Sequence, residues 1–192
     1  MARHKEFDRE TVLEKAMTTF WRLGYEATSV QDLVEEMGIN RASLYDTFGD
    51  KRTLYLSALD YYRQKFVTGV FHQLEQPGSA KAVLADFIRT FAQDAVLDRQ
   101  RKGCLLTNSA VELGPHDEDC AQRVVENLRW IEDLFYRLLL RAEAQEELTP
   151  GRDLQALARF FTSNLQGLQV LAKVDPDPAR IQDVVKVMLM VL

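Results

Sequence analysis

Apolar residues recur at spacings of three and four along most of the chain, which is the periodicity of amphipathic helices. Turns marked by proline and glycine separate the predicted helices. The fourth helix is predicted from about Asp50 to the turn at Pro77-Gly78, and later helices are predicted near residues 79–98, 103–113, 117–146, 151–174 and 177–191. In the first helical segment, Thr11 to Leu23, the predicted buried stripe is Val12, Leu13, Ala16, Met17, Phe20 and Leu23. No segment has the pattern of a β-strand. The sequence therefore predicts an all-α fold of about nine helices.

Two short helices and an intervening turn are predicted between Thr28 and Lys51. Ser29, followed three residues later by Asp32, is typical of a capping box at the start of a helix. Gly38 supplies the left-handed conformation that ends this helix, and Asn40 caps the next one. Such short helices are unstable alone, so the Thr11–Leu23 segment is expected to complete a three-helix core. The pattern is typical of a helix-turn-helix unit that binds DNA.

The same residues resemble the N-terminal signature of the TetR/AcrR family of transcriptional regulators. The resemblance covers roughly residues 7 to 60, and it rests on Phe20 to Gly24, Thr28, Gly38 and the sequence SLYDTFGDKRTL from Ser43 to Leu54. It implies a DNA-binding domain over residues 1–60, with the helix-turn-helix motif at about 29–48. It also implies a helical regulatory and dimerisation domain over residues 61–192.

The resemblance implies a role in DNA binding for eight residues. Arg41, Ala42 and Ser43 would face base edges in the major groove, where an arginine can form two hydrogen bonds with guanine, worth about 1–3 kcal/mol of discrimination. Tyr45 and Lys51 would contact phosphates, and Ser29 and Gln31 lie where the first helix of the motif crosses the DNA backbone. Thr47 would add a further phosphate or base contact. An alternative for Tyr45 is a partly buried position that closes the three-helix core.

Charge gives this DNA-binding hypothesis little support. Residues 1–54 contain eight Lys or Arg and ten Asp or Glu, a balance of −2, and the whole chain has a pI of about 5.3. Non-specific coating of DNA is therefore not expected, whereas binding to a specific site is compatible with well-placed cations. Arg3 and Lys5 form either a basic arm or a solvated tail. Asp46 departs from the family pattern and would repel a phosphate unless it accepts from cytosine or pairs with an arginine.

The last two helices carry apolar stripes that one chain can bury only in part. Leu154, Leu157, Phe160, Phe161, Leu165, Leu168 and Leu171 line the first, and Ile181, Val184, Val185, Met188 and Leu189 line the second. The resemblance implies that these helices pair with those of a second copy in a four-helix bundle, so that the operator is an inverted repeat. The alternative is a monomer that buries both stripes.

Candidate ligand-binding side chains are aromatic or polar residues of the central helices. They are Tyr62, Phe66, Phe87, Phe91, Cys104, Asn108, Glu112 and Trp130, with Leu134, Asn164 and Gln166 as further possibilities. Cys104 lies at a predicted helix start beside Arg101 and Lys102, where positive charge would favour a reactive thiolate. Some TetR-like regulators respond to reactive species through a cysteine in a similar segment. The alternative is a cysteine that packs as a small apolar residue.

Other chemical classes have little support in the sequence. The chain has no phosphate-binding glycine loop, no GxSxG and no HExxH motif, and its three histidines have no recognisable catalytic partners, so no enzyme is predicted. The stretch from His116 to Cys120 could bind a metal, but acidic residues after Gly-Pro are better explained as a helix cap, and no metal or other cofactor is predicted. With two cysteines and no signal peptide or transmembrane-length apolar run, a soluble cytoplasmic protein without membrane contacts is expected.

The resulting hypothesis is a ligand-responsive transcriptional regulator, acting as a repressor. It would bind a palindromic operator as a homodimer and be released by a small-molecule effector or by modification of Cys104. The alternative is a helical adaptor with a degenerate helix-turn-helix, which Asp46 and the negative local charge favour.

Overall fold

A computed structural model describes residues 7–192, which are helical with no strand in that range. The predicted arm residues Arg3 and Lys5 lie outside the described residues. The helices are α1 (Arg9–Leu23), α2 (Val30–Met37), α3 (Arg41–Phe48), α4 (beginning with Lys51–Tyr62), α5 (Ala80–Leu97), α6 (Leu105–Glu112), α7 (Glu118–Ala144), α8 (Leu154–Val174) and α9 (Pro178–Met190). The all-α prediction is confirmed, and nine helices are present within residues 7–192.

Helix α4 is longer than its first segment and is not uniform. It continues from Lys51–Tyr62 through a π-helical turn at Arg63–Val67, a single α-helical turn at Thr68–Phe71 and a 3₁₀ turn at His72–Glu75. The continuous helix from Asp50 to the turn at Pro77 was predicted, but the π-helical turn was not. Periodicity of 3.6 residues cannot reveal one inserted residue in a helix of this length.

The N-terminal three-helix unit follows its local capping signals closely. Ser29 and Asp32 form the predicted capping box, and Gly38 adopts a left-handed conformation with φ 69° after the end of α2. Asn40 accepts a hydrogen bond from the Ser43 amide at 2.9 Å, which caps α3. Each of these signals needs only residues three or four apart, so the sequence contains all the information required.

Helix α1 packs on α2 and α4 to form the core of this unit. The predicted stripe is buried with one exception, since Leu23 is 41% exposed and was wrongly placed in the core. Leu23 is the last residue of α1, and the chain leaves the helix at Gly24 before α2 covers that position. The neighbouring side chain Trp21 contacts the C-terminal part of the molecule instead.

Helices α5 to α9 surround a second core, in which α7 packs on α8 and α5 packs on α7, α8 and α9. Its centre is a group of aromatic rings, with Phe71 5.1 Å from Phe87 and Phe135 5.9 Å from Phe161 between ring centroids. The inner side of α8 is fully buried at Leu165 and Leu168. The outer sides of α8 and α9 remain exposed to solvent.

The outer sides of α8 and α9 present apolar side chains to solvent. The exposed fractions are 48% for Val170, 43% for Leu171, 74% for Val174, 57% for Val187 and 75% for Met190. Scattered exposed apolar residues are ordinary, but a run of them on two adjacent helices is typical of an interface. Within residues 7–192, no helix combines the length and the apolar character that crossing a membrane requires.

Candidate functional site

The outward side of α3 is polar, and its inward side is anchored in the three-helix core. Leu44 and Phe48 are buried, whereas Arg41 and Ala42 are exposed and Ser43 is half-buried. Tyr45 is 43% exposed and Asp46 is also open, so the alternative of a tyrosine that closes the core does not describe this structure. The helix therefore presents a short polar surface on a fixed support.

Thr47 lies at the edge of this surface, but its hydroxyl faces inward. The Thr47 Oγ1 atom is buried and has no hydrogen-bond partner within residues 7–192. In this conformation the Thr47 hydroxyl is therefore not available for the phosphate or base contact expected of it. A contact with a phosphate would need a different rotamer.

The side chains that flank α3 are held by neighbours on the same unit. The Ser29 hydroxyl accepts from the Asp32 amide at 3.1 Å and donates to the Asp32 carboxylate at 2.7 Å. Gln31 donates to Glu35 at 2.6 Å, and the Lys51 ammonium lies 4.2 Å from the centroid of the Tyr25 ring. Ser29 and Gln31 remain exposed and Lys51 is half-buried, so all three lie at the surface beside α3.

The negative charge of the N-terminal unit lies largely at helix starts and in ion pairs. Asp8, Asp32 and Asp50 accept backbone N–H groups at the starts of α1, α2 and α4. Hydrogen bonds from nearby side-chain hydroxyl groups and from these N–H groups lower the pKa of each carboxyl, with the hydroxyl the larger cause for Asp8 and Asp32 and the N–H for Asp50. Glu36 pairs with Arg22 at 2.7 Å, and Glu10 pairs with Lys65 at 2.8 Å. The acidic balance is therefore compatible with a DNA-binding surface, because many of the acids serve the fold.

Two ion pairs join the start of α4 to the start of α7. The Arg52 guanidinium lies 2.5 Å from a carboxylate oxygen of Asp117 and 2.6 Å from one of Asp119. The hydrogen bond from Arg52 lowers the pKa of Asp117, whose carboxylate also accepts the Cys120 amide at 2.9 Å as the cap of α7. The predicted helix cap after Gly-Pro is thus present, with the added role of holding the two units together.

Glu112, at the end of α6, holds the turn that follows α1. Its two carboxylate oxygens accept the backbone N–H groups of Tyr25 at 3.0 Å and Glu26 at 2.8 Å. Gly24 permits this approach, since a Cβ there would lie 3.1 Å from the Glu112 carboxylate, and its φ of 86° disfavours other residues. A charge-assisted pair of hydrogen bonds fixes this turn to the C-terminal unit.

Trp21 makes the third connection between the two units. Its indole N–H donates to the Gly103 carbonyl at 2.8 Å, and the Lys102 ammonium lies 4.1 Å from the centroid of its ring. Nearby, the Tyr55 hydroxyl on α4 lies 2.7 Å from the Ser109 hydroxyl on α6, in a buried position. We call these contacts, together with those of Arg52 and Glu112, the interdomain joint.

A cavity of about 260 Å³ lies beside the interdomain joint. Its wall is formed by side chains from α1, α4, α5, α7 and α8 and by the connector between α5 and α6. The lining residues are Trp21, Tyr62, Phe66, Val67, Val70, Phe71, Phe91, Asp94, Ala95, Asp98, Lys102, Gly103, Cys104, Asn127, Ile131, Gln166 and Gln169. An occupant would therefore touch Trp21 of the N-terminal unit and the core of the C-terminal unit at once.

Comparison with known proteins decides the family. The family model described as bacterial regulatory proteins of the tetR family matches residues 12–58. The model described as the tetracyclin repressor-like C-terminal domain matches residues 80–188, more than half of the chain. The chain belongs to the TetR family of transcriptional regulators.

Individual relatives match most or all of the chain. The chain is 43% identical to the uncharacterized HTH-type transcriptional regulator YezE of Bacillus subtilis, with 100% of both chains covered. It is 33% identical to the HTH-type transcriptional repressor ComR of Escherichia coli, over 89% of this chain and 82% of that one. A solved structure of the TetR family regulator CifR, a cysteine mutant complexed with 26bp double-strand operator DNA, has 31% identity and a TM-score of 0.86, with 98% of each chain covered.

Four of the eight predicted ligand-binding residues of this TetR-family chain line the cavity. They are Tyr62, Phe66, Phe91 and Cys104, and Gln166 lies there as well. Burial raises the pKa of Tyr62 well above its ordinary value, so its phenol stays protonated. The structure thus brings together candidates that are far apart in sequence, from Tyr62 to Gln166.

The other four candidates do not line the cavity. Phe87 is part of the aromatic core, 5.1 Å from Phe71. Trp130 packs on the same ring of Phe71, at 5.9 Å. The amide of Asn108 donates to the Lys102 carbonyl at 2.9 Å and accepts from Lys173 at 3.0 Å, and Glu112 belongs to the interdomain joint.

The two cysteines differ sharply in environment, and both are free thiols. Cys104 is half-buried at the start of α6 and lines the cavity. Cys120 is fully buried, and burial raises the pKa of its thiol to about 11. Cys104 is thus the cysteine that a small molecule in the cavity would meet.

Sequence reasoning missed several residues of the wall, chiefly Trp21, Lys102, Asn127 and Gln169. Trp21 carried a usable signal, since it is a large aromatic residue next to the buried stripe of α1 and outside it. Asn127 carried none, because one asparagine in a long helix is most often a surface residue.

Proposed function

We propose that this TetR-family regulator is a repressor that binds a palindromic operator as a homodimer and is released by a small molecule in the interdomain cavity. The observation that carries the proposal is the outward side of α3, which presents Arg41, Ala42 and Ser43 from a buried base at Leu44 and Phe48. A helix displayed in this way fits the major groove.

The roles proposed for the individual residues follow from where they lie. Arg41, at the exposed start of α3, would read a guanine, and Ser43 would contact an adjacent base edge or phosphate. Tyr45 on α3 itself and Ser29, Gln31 and Lys51 beside α3 would bind phosphates on either side of the groove. Lys51 would exchange its contact with the Tyr25 ring for one with a phosphate.

The outer sides of α8 and α9 support the homodimer. Val170, Val174, Val187 and Met190 are between 48% and 75% exposed, and burying them against a second copy removes apolar area from water. A twofold dimer joined in this way carries two α3 helices related by the same axis, so its DNA site would be an inverted repeat.

The relatives support both DNA binding and the sign of regulation. The CifR structure holds operator DNA, and ComR of Escherichia coli is described as a repressor. Both are more than 30% identical to this chain and cover most of it.

The position of the cavity supports a release mechanism. Its wall includes Trp21 of the N-terminal unit and the Lys102–Cys104 connector, which both take part in or adjoin the interdomain joint. A ligand changes operator affinity only if it binds one arrangement of the joint better than the other, with a typical coupling of about 1–3 kcal/mol. Modification of Cys104 would act on the same wall and is proposed as a second route to release.

The decisive experiment is selection of bound sequences from a random DNA pool by the purified full-length protein, with its mass in solution measured by light scattering. We expect a dimer that enriches an inverted repeat. The Arg41→Ala variant, in the same selection, should lose preference at one position in each half-site. A monomer, or a pool with no enriched site at low salt, would contradict the proposal and favour the adaptor hypothesis.

A further inference from the structure

The charged side chains in the wall of the interdomain cavity give it an excess of negative charge. Within residues 7–192, they are the carboxylates of Asp94 and Asp98 and the ammonium of Lys102. The neighbouring Lys173 is not part of the wall, and its ammonium is bonded to Oδ1 of Asn108 at 3.0 Å. An anionic ligand would meet an excess of like charge, whereas a ligand with one positive charge would balance it.

The two carboxylates of the wall are held in different ways. Asp98, directly after α5, accepts the backbone N–H groups of Gln100 at 3.0 Å and Lys102 at 2.8 Å, which fix its position. Asp94 lies one turn earlier on α5 and is exposed to solvent. The wall therefore has one charge fixed by the backbone and one on an exposed side chain that can move toward a ligand.

Aromatic rings form the adjoining part of the wall. Trp21, Tyr62 and Phe66 make a cluster, with ring centroids 4.9 Å apart between Trp21 and Tyr62 and 5.6 Å apart in the other two pairs. The π-helical turn of α4 contributes Phe66 to this cluster. The face of an aromatic ring carries partial negative charge and attracts a cation, most strongly when the ring is a tryptophan. Rings and carboxylates in one wall thus favour the same sign of charge.

One ring of the wall already holds a cation, which belongs to the protein itself. The Lys102 ammonium lies 4.1 Å from the centroid of the Trp21 ring, and both residues line the cavity. The ammonium stands at the end of a flexible four-carbon chain, so it can leave the ring without a change in the backbone. Trp21 is therefore a cation-binding face whose internal occupant a ligand can replace.

The contact between Lys102 and Trp21 is also part of the interdomain joint. It lies beside the hydrogen bond from the Trp21 indole to the Gly103 carbonyl, at 2.8 Å. A cation that displaces Lys102 removes one connection between the N-terminal and C-terminal units. Such a ligand binds better to the arrangement in which the joint is loosened, and this is the preference that release from DNA requires.

The volume of the cavity limits the ligand to a small molecule. An apolar cavity of about 150 Å³ accommodates benzene. The interdomain cavity, at about 260 Å³, has room for a single ring that carries a short substituent.

We propose that the cavity binds a small organic cation, an ammonium group on an aromatic body, which replaces the Lys102 ammonium at Trp21 and is balanced by Asp94 and Asp98. The inference rests on the proposed function in taking this cavity as the effector site. It adds the charge class of the effector and the contact that the effector displaces.

Benzylammonium and benzyl alcohol are the matched probes, because they have nearly the same shape and differ in charge. Binding to the full-length protein at pH 7 is measured by calorimetry, and by the fluorescence of Trp21 after Trp130→Phe has made it the single tryptophan. Cation–π and carboxylate contacts predict roughly three- to thirtyfold tighter binding of benzylammonium than of benzyl alcohol. Benzoate should bind more weakly than either probe.

Lys102→Met separates the proposal from simple apolar binding. It keeps a flexible apolar side chain but removes the ammonium that competes for Trp21, so benzylammonium should bind roughly threefold more tightly or better. Benzyl alcohol, which does not compete for that charge, should bind as it does to the parent.

Asp94→Asn tests the exposed carboxylate of the wall. It should weaken the binding of benzylammonium by roughly two- to fivefold and leave that of benzyl alcohol unchanged. Asp86→Asn is the matched control, since Asp86 lies on the same helix outside the cavity wall and pairs with Arg89. It should leave the affinities for both probes unchanged.

Equal affinities of the two probes for the parent would overturn the cationic class, and so would a Lys102→Met protein that binds benzylammonium no better than the parent does. Absence of binding by either probe would overturn the ligand class altogether. Benzylammonium that binds as expected without lowering operator affinity would contradict the proposed release mechanism instead. Selection of an operator tests the proposed DNA binding separately.

Discussion

The helix-turn-helix is stabilised by contacts between residues close in sequence, whereas the interdomain joint is formed by residues far apart in sequence. Asn40 caps α3 through Ser43, three residues away, whereas Trp21 bonds to Gly103 across 82 residues and Glu112 to Tyr25 across 87. A surface that is specified locally can be changed without disturbing the rest of the molecule. A joint made of distant residues responds to both units, which is what a regulatory connection requires.

This difference predicts that substitutions on the exposed side of α3 change DNA binding without changing the stability of the fold. Arg41→Ala should weaken operator binding by about 1–3 kcal/mol in each half-site and relax the sequence preference at one position. The thermal unfolding temperature should not change, because Arg41 is exposed. The measurement is a titration with the selected operator and with variants at each base.

Arg89→Ala is a matched control on the exposed surface of α5, where Arg89 pairs with Asp86 of the same helix. It should bind the operator as the parent does. If Arg41→Ala loses the same affinity for all operator variants, Arg41 contacts a phosphate. That result would contradict the proposal that Arg41 on α3 recognises a base.

The two cysteines are expected to differ in reactivity, and this difference tests the region beside the interdomain joint. Burial raises the pKa of Cys120 to about 11, so its reactive thiolate at pH 8 is rarer than that of an ordinary cysteine by roughly two orders of magnitude. A thiol reagent should modify one residue of the native protein quickly and the second only on unfolding. Cys104→Ser should remove the fast phase, and Cys120→Ser should keep it.

The number of thiols modified over time, followed by absorbance with a chromogenic disulfide, measures both phases. As pH rises from the ordinary thiol pKa toward 11, the slow phase should accelerate, because the unfolded state loses the Cys120 proton more readily than the native state and unfolding is therefore favoured. A fast phase that survives in Cys104→Ser would contradict the placement of the two thiols.

The smallest effect is expected at Lys51, beside α3. Lys51→Ala should lower the slope of log affinity against log salt by roughly 0.9 for each protomer, because one phosphate contact is lost. The affinity falls little at high salt, since the lysine also gives up its contact with the Tyr25 ring on binding. Salt titrations of parent and variant on the same operator test this, and identical slopes would remove Lys51 from the interface.

The sequence was sufficient for those parts of the molecule that depend on neighbours along the chain. The capping box at Ser29, the turn at Gly38 and the cap at Asn40 were all predicted, as were the helices of the C-terminal unit within a few residues of their ends. Family resemblance located the motif. Leu23 was misplaced because periodicity does not show where a neighbouring helix stops covering a stripe.

The cavity and the joint could be predicted only in part, because they depend on which distant helices meet. Tyr62 and Cys104 were named and line the cavity, while Asn127 was missed. Glu112 was expected to face a ligand, and the structure places its carboxylate on the amides of the turn after α1. Composition cannot distinguish a polar residue that lines a cavity from one that holds the backbone.

The joint is the central element of the proposed mechanism, and Glu112→Gln tests it most directly. The substitution keeps the shape of the side chain but removes the charge that binds the amides of Tyr25 and Glu26. The N-terminal unit is then held less firmly, and fixing its position on DNA costs part of the binding free energy. Operator affinity should fall roughly fivefold or more, with the same sequence preference, while Glu118→Gln at the exposed start of α7 binds as the parent does. Unchanged operator affinity in a folded Glu112→Gln protein would contradict the account, because the interdomain joint would then have no influence on DNA binding by α3.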